Sequence, residues 1–170
     1  MTWIIRLEDL PEEVKGKLGT KLSEVKDEGY WLKSYQGKII ITAKTDIGLL
    51  YGTFAFLKAI QTREKLENLD RLENPKIQKR LLNHWDNLNR TVERGYAGFS
   101  IWNWHRLPNH IDQQYIDYAR ANASIGINGS VLNNVNASAK VLTGVYLEKV
   151  KAIAESLRPY GIKTYLSVNF

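Results

Sequence analysis

Apolar residues at Val14, Leu18 and Leu22 follow Pro11-Glu12-Glu13 at helical spacing, and predict a helix over residues 11–22 that Gly19 weakens. Over residues 29–43 the period changes to two. Tyr30, Leu32 and Ser34 alternate with Trp31, Lys33 and Tyr35, Gln36-Gly37 supplies a turn, and Ile39 to Thr42 returns as a β-branched strand. From Asp46 the helical period resumes, with Leu50, Phe54, Leu57 and Ile60 apolar. Gly48 and Gly52 sit four apart on that helix, which suits close approach to the hairpin at a cost of about 1 kcal/mol each relative to Ala. Residues 62–79 read as charged and irregular, and Pro75 stops any helix. A domain boundary is placed near residue 74, making residues 1–74 a small α+β unit.

The remainder alternates strand and helix. Residues 81–84 predict a strand, followed by a connection of about 27 residues (85–111), where βα loops ordinarily take roughly 2–6. The connection is rich in aromatics: Trp85, Tyr96, Phe99, Trp102 and Trp104. Tyr115, Ala119 and Ala123 predict a helix over 112–124, ending toward Gly126. Residues 127–132 predict a second strand with a polar tip at 133–137. Thr143 is read as the cap of a further helix that buries Val145, Leu147, Val150, Ile153, Ala154 and Leu157 and ends at Arg158-Pro159-Tyr160-Gly161. Residues 162–168 predict a third strand, and the chain stops at Asn169-Phe170. The order β-α-β-α-β is that of an α/β fold with parallel strands. A (β/α)8 barrel takes about 250 residues. Residues 75–170 are therefore either a small three-stranded α/β domain or the beginning of a barrel truncated after strand three.

Composition narrows the chemistry. With 44% hydrophobic and 25% charged residues the chain is globular in character. The net charge of +6 is spread among acidic neighbours, as in Glu12-Glu13-Val14-Lys15, and reads as a solvated surface more than a nucleic-acid face. A nucleic-acid binder would need a contiguous positive face and steep salt dependence. There is no cysteine, hence no disulfide and no thiolate metal site. The four-residue apolar start is no signal peptide, and no apolar run approaches the length that spans a bilayer. The compartment stays open, with the cytoplasm slightly favoured. His84, His105 and His110 lack ligand spacing, so neither a metal nor another cofactor is expected.

The residues with chemistry sit where the strands end, the edge at which barrel sites form. Trp85 offers an apolar face to a ligand, with a core aromatic as the alternative; Val135 offers the opposite wall or plain packing. Glu93 can accept from hydroxyls and Arg94 can pair with a carboxylate, or the two brace the loop. Asp86 orients a loop amide or meets a ligand. Asn133, Asn134 and Asn136 suit hydroxyl recognition or turn chemistry equally. Trp102 and Trp104 are read as loop packing.

At His84-Trp85-Asp86-Asn87 and Glu93-Arg94-Gly95-Tyr96-Ala97-Gly98 the sequence resembles the α-glucuronidases of glycoside hydrolase family 67. The resemblance continues through Asp117-Tyr118-Ala119-Arg120, residues 123–129, Asn133 to Ala137 and Arg158-Pro159-Tyr160-Gly161. Leu50 to Phe54 and Ile60-Gln61 look like the end of that family's N-terminal domain. The resemblance implies an inverting enzyme that removes 4-O-methyl-glucuronic acid from xylan fragments, so the partner is a glucuronoxylan-derived oligosaccharide (an aldouronic acid). It implies an N-terminal α+β domain, a catalytic (β/α)8 barrel and a C-terminal helical domain, and admits a homodimeric parent. Trp85 and Val135 match the Trp and Val that sheath the methyl ether. Asp86, Glu93, Arg94, Asn134 and Asn136 complete the expected substrate-binding set. The catalytic carboxylates are expected beyond Phe170, so this chain alone is expected to be inactive. Asn89 stands where Asp is expected at least as often. The alternative is a non-catalytic carbohydrate-binding α/β module.

Overall fold

The computed structural model describes residues 1–169; Phe170, the last residue of the sequence, lies outside the described residues. The chain divides into two compact units, Met1–Gln78 and Lys79–Phe170.

The first unit is a four-stranded sheet in the order β1-β3-β2-β4. Its strands are β1 (Thr2–Arg6), β2 (Tyr30–Tyr35), β3 (Lys38–Ala43) and β4 (Asp70–Glu73). β2 runs antiparallel to β3 and β4, and β1 runs parallel to β3. The β2–β3 turn is Gln36-Gly37, both at positive φ (48° and 72°), which matches the twist of the flanking strands. Adjacent side chains leave β2 on opposite faces and both are covered. Trp31 packs with Val25, Ile40 and the α1 residues Val14 and Leu18, where α1 is Glu12–Leu18. Leu32 packs with Ile41 and Leu69 on the other side.

Helix α3 (Asp46–Gln61) is capped by Thr45, whose hydroxyl accepts from the Gly48 amide at 3.1 Å. A β-carbon on Gly48 would come within 2.7 Å of the Ala43 β-carbon, and one on Gly52 within 2.7 Å of Ile41 Cγ2. The two glycines let the helix axis lie closer to the sheet than side chains would allow.

Three features of this unit depart from expectation. The helix read over 11–22 breaks at Gly19 (φ 71°), leaving α1 and a separate turn, α2 (Lys21–Glu24). Residues 70–73, taken as irregular, form β4; it is an edge strand whose charge hides it, with Leu72 opposite Trp31. Trp31 Nε1 donates to Asp70 Oδ1 at 2.7 Å and Lys33 Nζ to Asp70 Oδ2 at 2.8 Å, tying β4 to its neighbour. The start of the chain, weighed only as a targeting segment, forms β1, whose parallel partner lies far along the sequence.

The second unit holds three parallel strands in the order β5-β6-β7: β5 (Leu81–Asn83), β6 (Gly129–Val131) and β7 (Lys163–Tyr165). Helices α4 (Gln113–Ser124) and α5 (Gly144–Leu157) follow β5 and β6. This is a mixed α/β arrangement. Its core joins Trp102, Trp104 and Leu107 of the long connection to Tyr115 and Ala119 of α4, Leu132, Ile153 and Leu157 of α5, and Ile162. A β-carbon on Gly129 would lie 2.9 Å from the Tyr165 ring, so a side chain on the central strand would collide with its neighbour.

Two details of α5 correct the sequence reading. Thr143 occupies the cap position, but its hydroxyl donates to the Lys140 carbonyl at 2.8 Å and leaves the helix end without a side-chain cap. Val145 (69% exposed) and Leu147 (42%) face outward. The inward stripe is Tyr146, Val150, Ile153 and Leu157, at the four-three-four spacing of one helix face. Tyr146 takes the place given to its two neighbours.

Candidate functional site

The parallel ladder brings the carboxyl ends of β5, β6 and β7 to one edge of the sheet. Side chains at that edge knit the tips together. Asn133 Nδ2 donates to the Ser167 carbonyl at 2.8 Å, and the Ser167 amide donates to Asn133 Oδ1 at 2.9 Å, joining the segments after β6 and β7. The Asn134 amide donates to the Asp86 carbonyl at 2.8 Å, joining the segments after β6 and β5. Asn134 is buried; its Oδ1 accepts from the Asn136 amide at 2.9 Å and its Nδ2 lies 3.5 Å from the Trp85 carbonyl. Asn133 and Asn134 therefore serve as ties and turn-formers. Asn136 is exposed.

Against this buried frame, Trp85 (46% exposed) and Val135 (41%) remain open. The residues flanking Trp85 are anchored inward. The His84 amide donates to the Val131 carbonyl at 3.0 Å, and its ring Nε2 lies 2.7 Å from the Tyr118 hydroxyl, itself 3.1 Å from Ser130 Oγ. The Asp86 carboxylate is buried and accepts from the Ser100 hydroxyl, which in turn accepts from the Trp102 amide at 2.9 Å. His84 Nδ1 is 3.7 Å from Asp86 Oδ2. Burial holds the His84 imidazole below its ordinary pKa, and the Asp86 charge opposes that only in part. Burial likewise pushes the Tyr118 phenol up.

The long connection is a frame of its own. The Glu93 amide donates to the Trp85 carbonyl at 2.8 Å, the Val92 amide to Gly98 at 3.2 Å and the Ser100 amide to Arg90 at 2.8 Å, with isolated bridges at Asp86–Val92 and Thr91–Phe99. Arg90 (φ 73°) and Glu93 (φ 55°) hold left-handed backbone that disfavours side chains. Glu93 Oε2 is buried and unpartnered among the described residues, while Oε1 lies 3.9 Å from Arg94 Nε. Arg94 itself projects into solvent, with its side chain 86% exposed. Tyr96 and Phe99 are more exposed than Trp85, whereas Trp102 and Trp104 are fully buried, as packing residues should be.

Of the sequence-selected residues, the structure brings Trp85, Asp86, Asn134 and Glu93 into one bonded cluster, with Val135 and Asn136 on the adjoining tip; Arg94 stands out from it. The His84–Tyr118–Ser130 and Ser100–Asp86 links escaped sequence reading. Of the α4 tyrosines, Tyr118 sets its hydroxyl between His84 and Ser130, whereas Tyr115 accepts from the Asn103 amide of the long connection. Among the described residues no three His, Cys, Asp or Glu side chains gather as a metal would need.

Comparison with known proteins places the chain in a family. The profile of the "Glycosyl hydrolase family 67 middle domain" matches residues 59–170, and that of the "Glycosyl hydrolase family 67 N-terminus" matches residues 3–56. The chain is 37% identical to "Alpha-glucuronidase A" of Emericella nidulans, over 89% of this chain and 18% of that protein. It is 36% identical to "Alpha-glucuronidase" of Hypocrea jecorina, over 98% of this chain and 20% of that protein. The chain thus spans about a fifth of the length of the curated relatives it matches. Among solved structures, a GH138 enzyme targeting pectin rhamnogalacturonan II aligns with a TM-score of 0.58 at 13% identity, over 87% of this chain and 19% of that one; the likeness speaks to fold alone. Two family profiles matched in order, and relatives identical at more than one position in three, identify this chain as a member of glycosyl hydrolase family 67.

Proposed function

We propose that the chain supplies part of an inverting α-glucuronidase that removes 4-O-methyl-glucuronic acid from xylan-derived oligosaccharides. In this reading β5, β6 and β7 are the first three strands of a (β/α)8 barrel, and their shared carboxyl edge is one side of the sugar pocket. The observation that carries it is the pair of exposed apolar side chains, Trp85 and Val135, left on an edge whose neighbouring residues Asp86, Asn133 and Asn134 are buried. Two apolar walls suit a methyl ether and the ring that bears it.

Glu93 accepts from a sugar hydroxyl, its buried oxygen standing without a partner until one arrives. Arg94 meets the uronate from the solvent side. Asp86 and Asn134 act by holding the Trp85 backbone, and Asn136 offers its amide at the rim. Inversion requires an acid and a base roughly 6.5–9.5 Å apart across the scissile bond. The resemblance assigns neither to this chain, so the chain alone hydrolyses nothing.

The test is a chimera. Residues 59–170 replace the matching segment of the Hypocrea jecorina α-glucuronidase, and release of 4-O-methyl-glucuronic acid from aldotetraouronic acid is followed. Release is expected. A chimera that is folded by circular dichroism yet releases none would refute the proposal.

A further inference from the structure

The Trp85 frame carries two more aromatic rings that the proposed uronate pocket does not use. Tyr96 is 77% exposed and Phe99 81%. Neither sits on a slack segment. Gly95 (φ 97°) and Gly98 (φ 90°) bracket Tyr96-Ala97 in backbone that glycine alone adopts readily, and the Gly95 amide closes the turn onto Val92 at 2.9 Å. Phe99 pairs with Thr91 through a β-bridge, and the next residue, Ser100, is buried with its hydroxyl on Asp86. The Glu93 amide, at the base of the same turn, donates to the Trp85 carbonyl. Three exposed aromatic residues thus ride on one hydrogen-bonded loop, while Trp102 and Trp104 of the same loop are drawn inside.

We infer that Tyr96 and Phe99 form a stacking platform for the neutral xylose chain of the substrate, next to the uronosyl pocket. This rests on the proposed reading, which puts a sugar at Trp85. Xylopyranose lacks a hydroxymethyl arm, so its ring faces are flat and rich in C–H groups, the surface that an exposed aromatic face accepts. The loop tip from Gly95 to Phe99 is uncharged, which suits a neutral chain, and the adjacent Arg94 suits the acid at its branch. The platform reads chain length; the pocket reads the acid.

The 170-residue chain is titrated, with its tryptophan fluorescence as readout, against 4-O-methyl-glucuronic acid, xylotetraose and an aldouronic acid with a xylotetraose backbone. The wild type is expected to bind the aldouronic acid more tightly than the monosaccharide. Phe99→Ala and Tyr96→Ala should each weaken the aldouronic acid and xylotetraose by about fivefold, the scale of one aromatic contact, and leave the monosaccharide unchanged. Equal losses for all three ligands, or no loss, overturn the platform while leaving the pocket intact. Binding of xylotetraose alone upholds the platform and removes the uronate pocket. Binding of none overturns both. Because both side chains are exposed, a far-ultraviolet spectrum like that of the wild type is expected for each variant. A variant that unfolds would show its ring to be structural, which also overturns the inference.

Discussion

Ser100→Ala tests the frame under Trp85 most directly. One hydroxyl meets two buried needs: it donates to the Asp86 carboxylate and accepts from the Trp102 amide at 2.9 Å. Asp86 is 4% exposed and Ser100 3%, so water replaces neither partner without opening the loop. Leaving a buried polar group unmet costs about 1–3 kcal/mol, and a bond to a charged group lies at the upper end. Loss of the donor to Asp86 and the acceptor for Trp102 together should cost about 3 kcal/mol. That is a large share of the roughly 5–15 kcal/mol that holds a domain folded. With a urea slope of about 1.5 kcal/mol per molar, the midpoint should fall by about 2 M. Near-ultraviolet circular dichroism of the buried Trp102 and Trp104 reports the unit concerned. Asp86→Asn in the Ser100→Ala background should restore part of the loss, because an amide is cheaper to strand than a carboxylate. A midpoint shift below about 0.3 M would refute the reasoning, since it would mean that water already serves both partners.

Other expectations follow from single contacts. Asn133→Ala removes both bonds to the Ser167 backbone and should cost about 2–3 kcal/mol, with faster hydrogen exchange at the Ser167 amide; unchanged exchange would refute the tie between the β6 and β7 tips. Gly52→Ala gains about 1 kcal/mol of helix propensity but drives a methyl into Ile41, at about 1–3 kcal/mol, so a net loss near 1 kcal/mol is expected in urea unfolding and a gain would refute the close-approach argument. His84 is held below its ordinary pKa of 6.5, so the unfolded chain binds the extra proton; stability should fall as pH drops from 6.5 toward the lowered folded value, and His84→Gln should flatten that slope, whereas the same slope in the variant would refute the assignment. Trp85→Ala, at a half-exposed position, should change the urea midpoint little yet weaken aldouronic-acid binding about tenfold; unchanged affinity would remove Trp85 from the pocket.

The elements legible in the sequence were those whose pattern is local. The β2–β3 hairpin shows itself because Gln36-Gly37 sets the turn and every paired residue of β2 finds its partner within eleven positions. Helix α3 shows itself through its spacing, and its two glycines through the need for close approach. β1 and β4 were illegible because their partners lie far off: β1 pairs with β3 some 37 residues on, and β4 returns to β2 across the whole of α3. In β4 the charged side chains that blunt an edge strand also mask its period. The stripe on α5 was misread for a different reason. Val145 and Leu147 are apolar, but they flank the face that Tyr146 occupies, and a hydrophobicity count cannot distinguish flank from centre when all three residues are apolar.

The site divides along the same line. Trp85 and Val135 were visible because each lies within four residues of the end of a strand, and the parallel pairing of β5 and β6 carries both to one edge. What the sequence could not show is which polar residues face a ligand and which hold the frame. Asp86, Asn133 and Asn134 look alike as strand-tip polar groups, yet all three are buried and bonded, two of them to backbone. Glu93 is the reverse case: adjacent to an arginine it reads as half of a surface pair, but left-handed backbone turns it in and leaves one oxygen unmet. Backbone strain at Glu93 and Arg90 costs on the order of 1–3 kcal/mol each, and the loop sustains it through the bonds to Trp85, Asn87 and Ser100. On the proposed reading, that strain is the cost of keeping one Glu93 carboxylate oxygen buried and unmet on the same loop as the exposed Trp85, ready for a sugar hydroxyl.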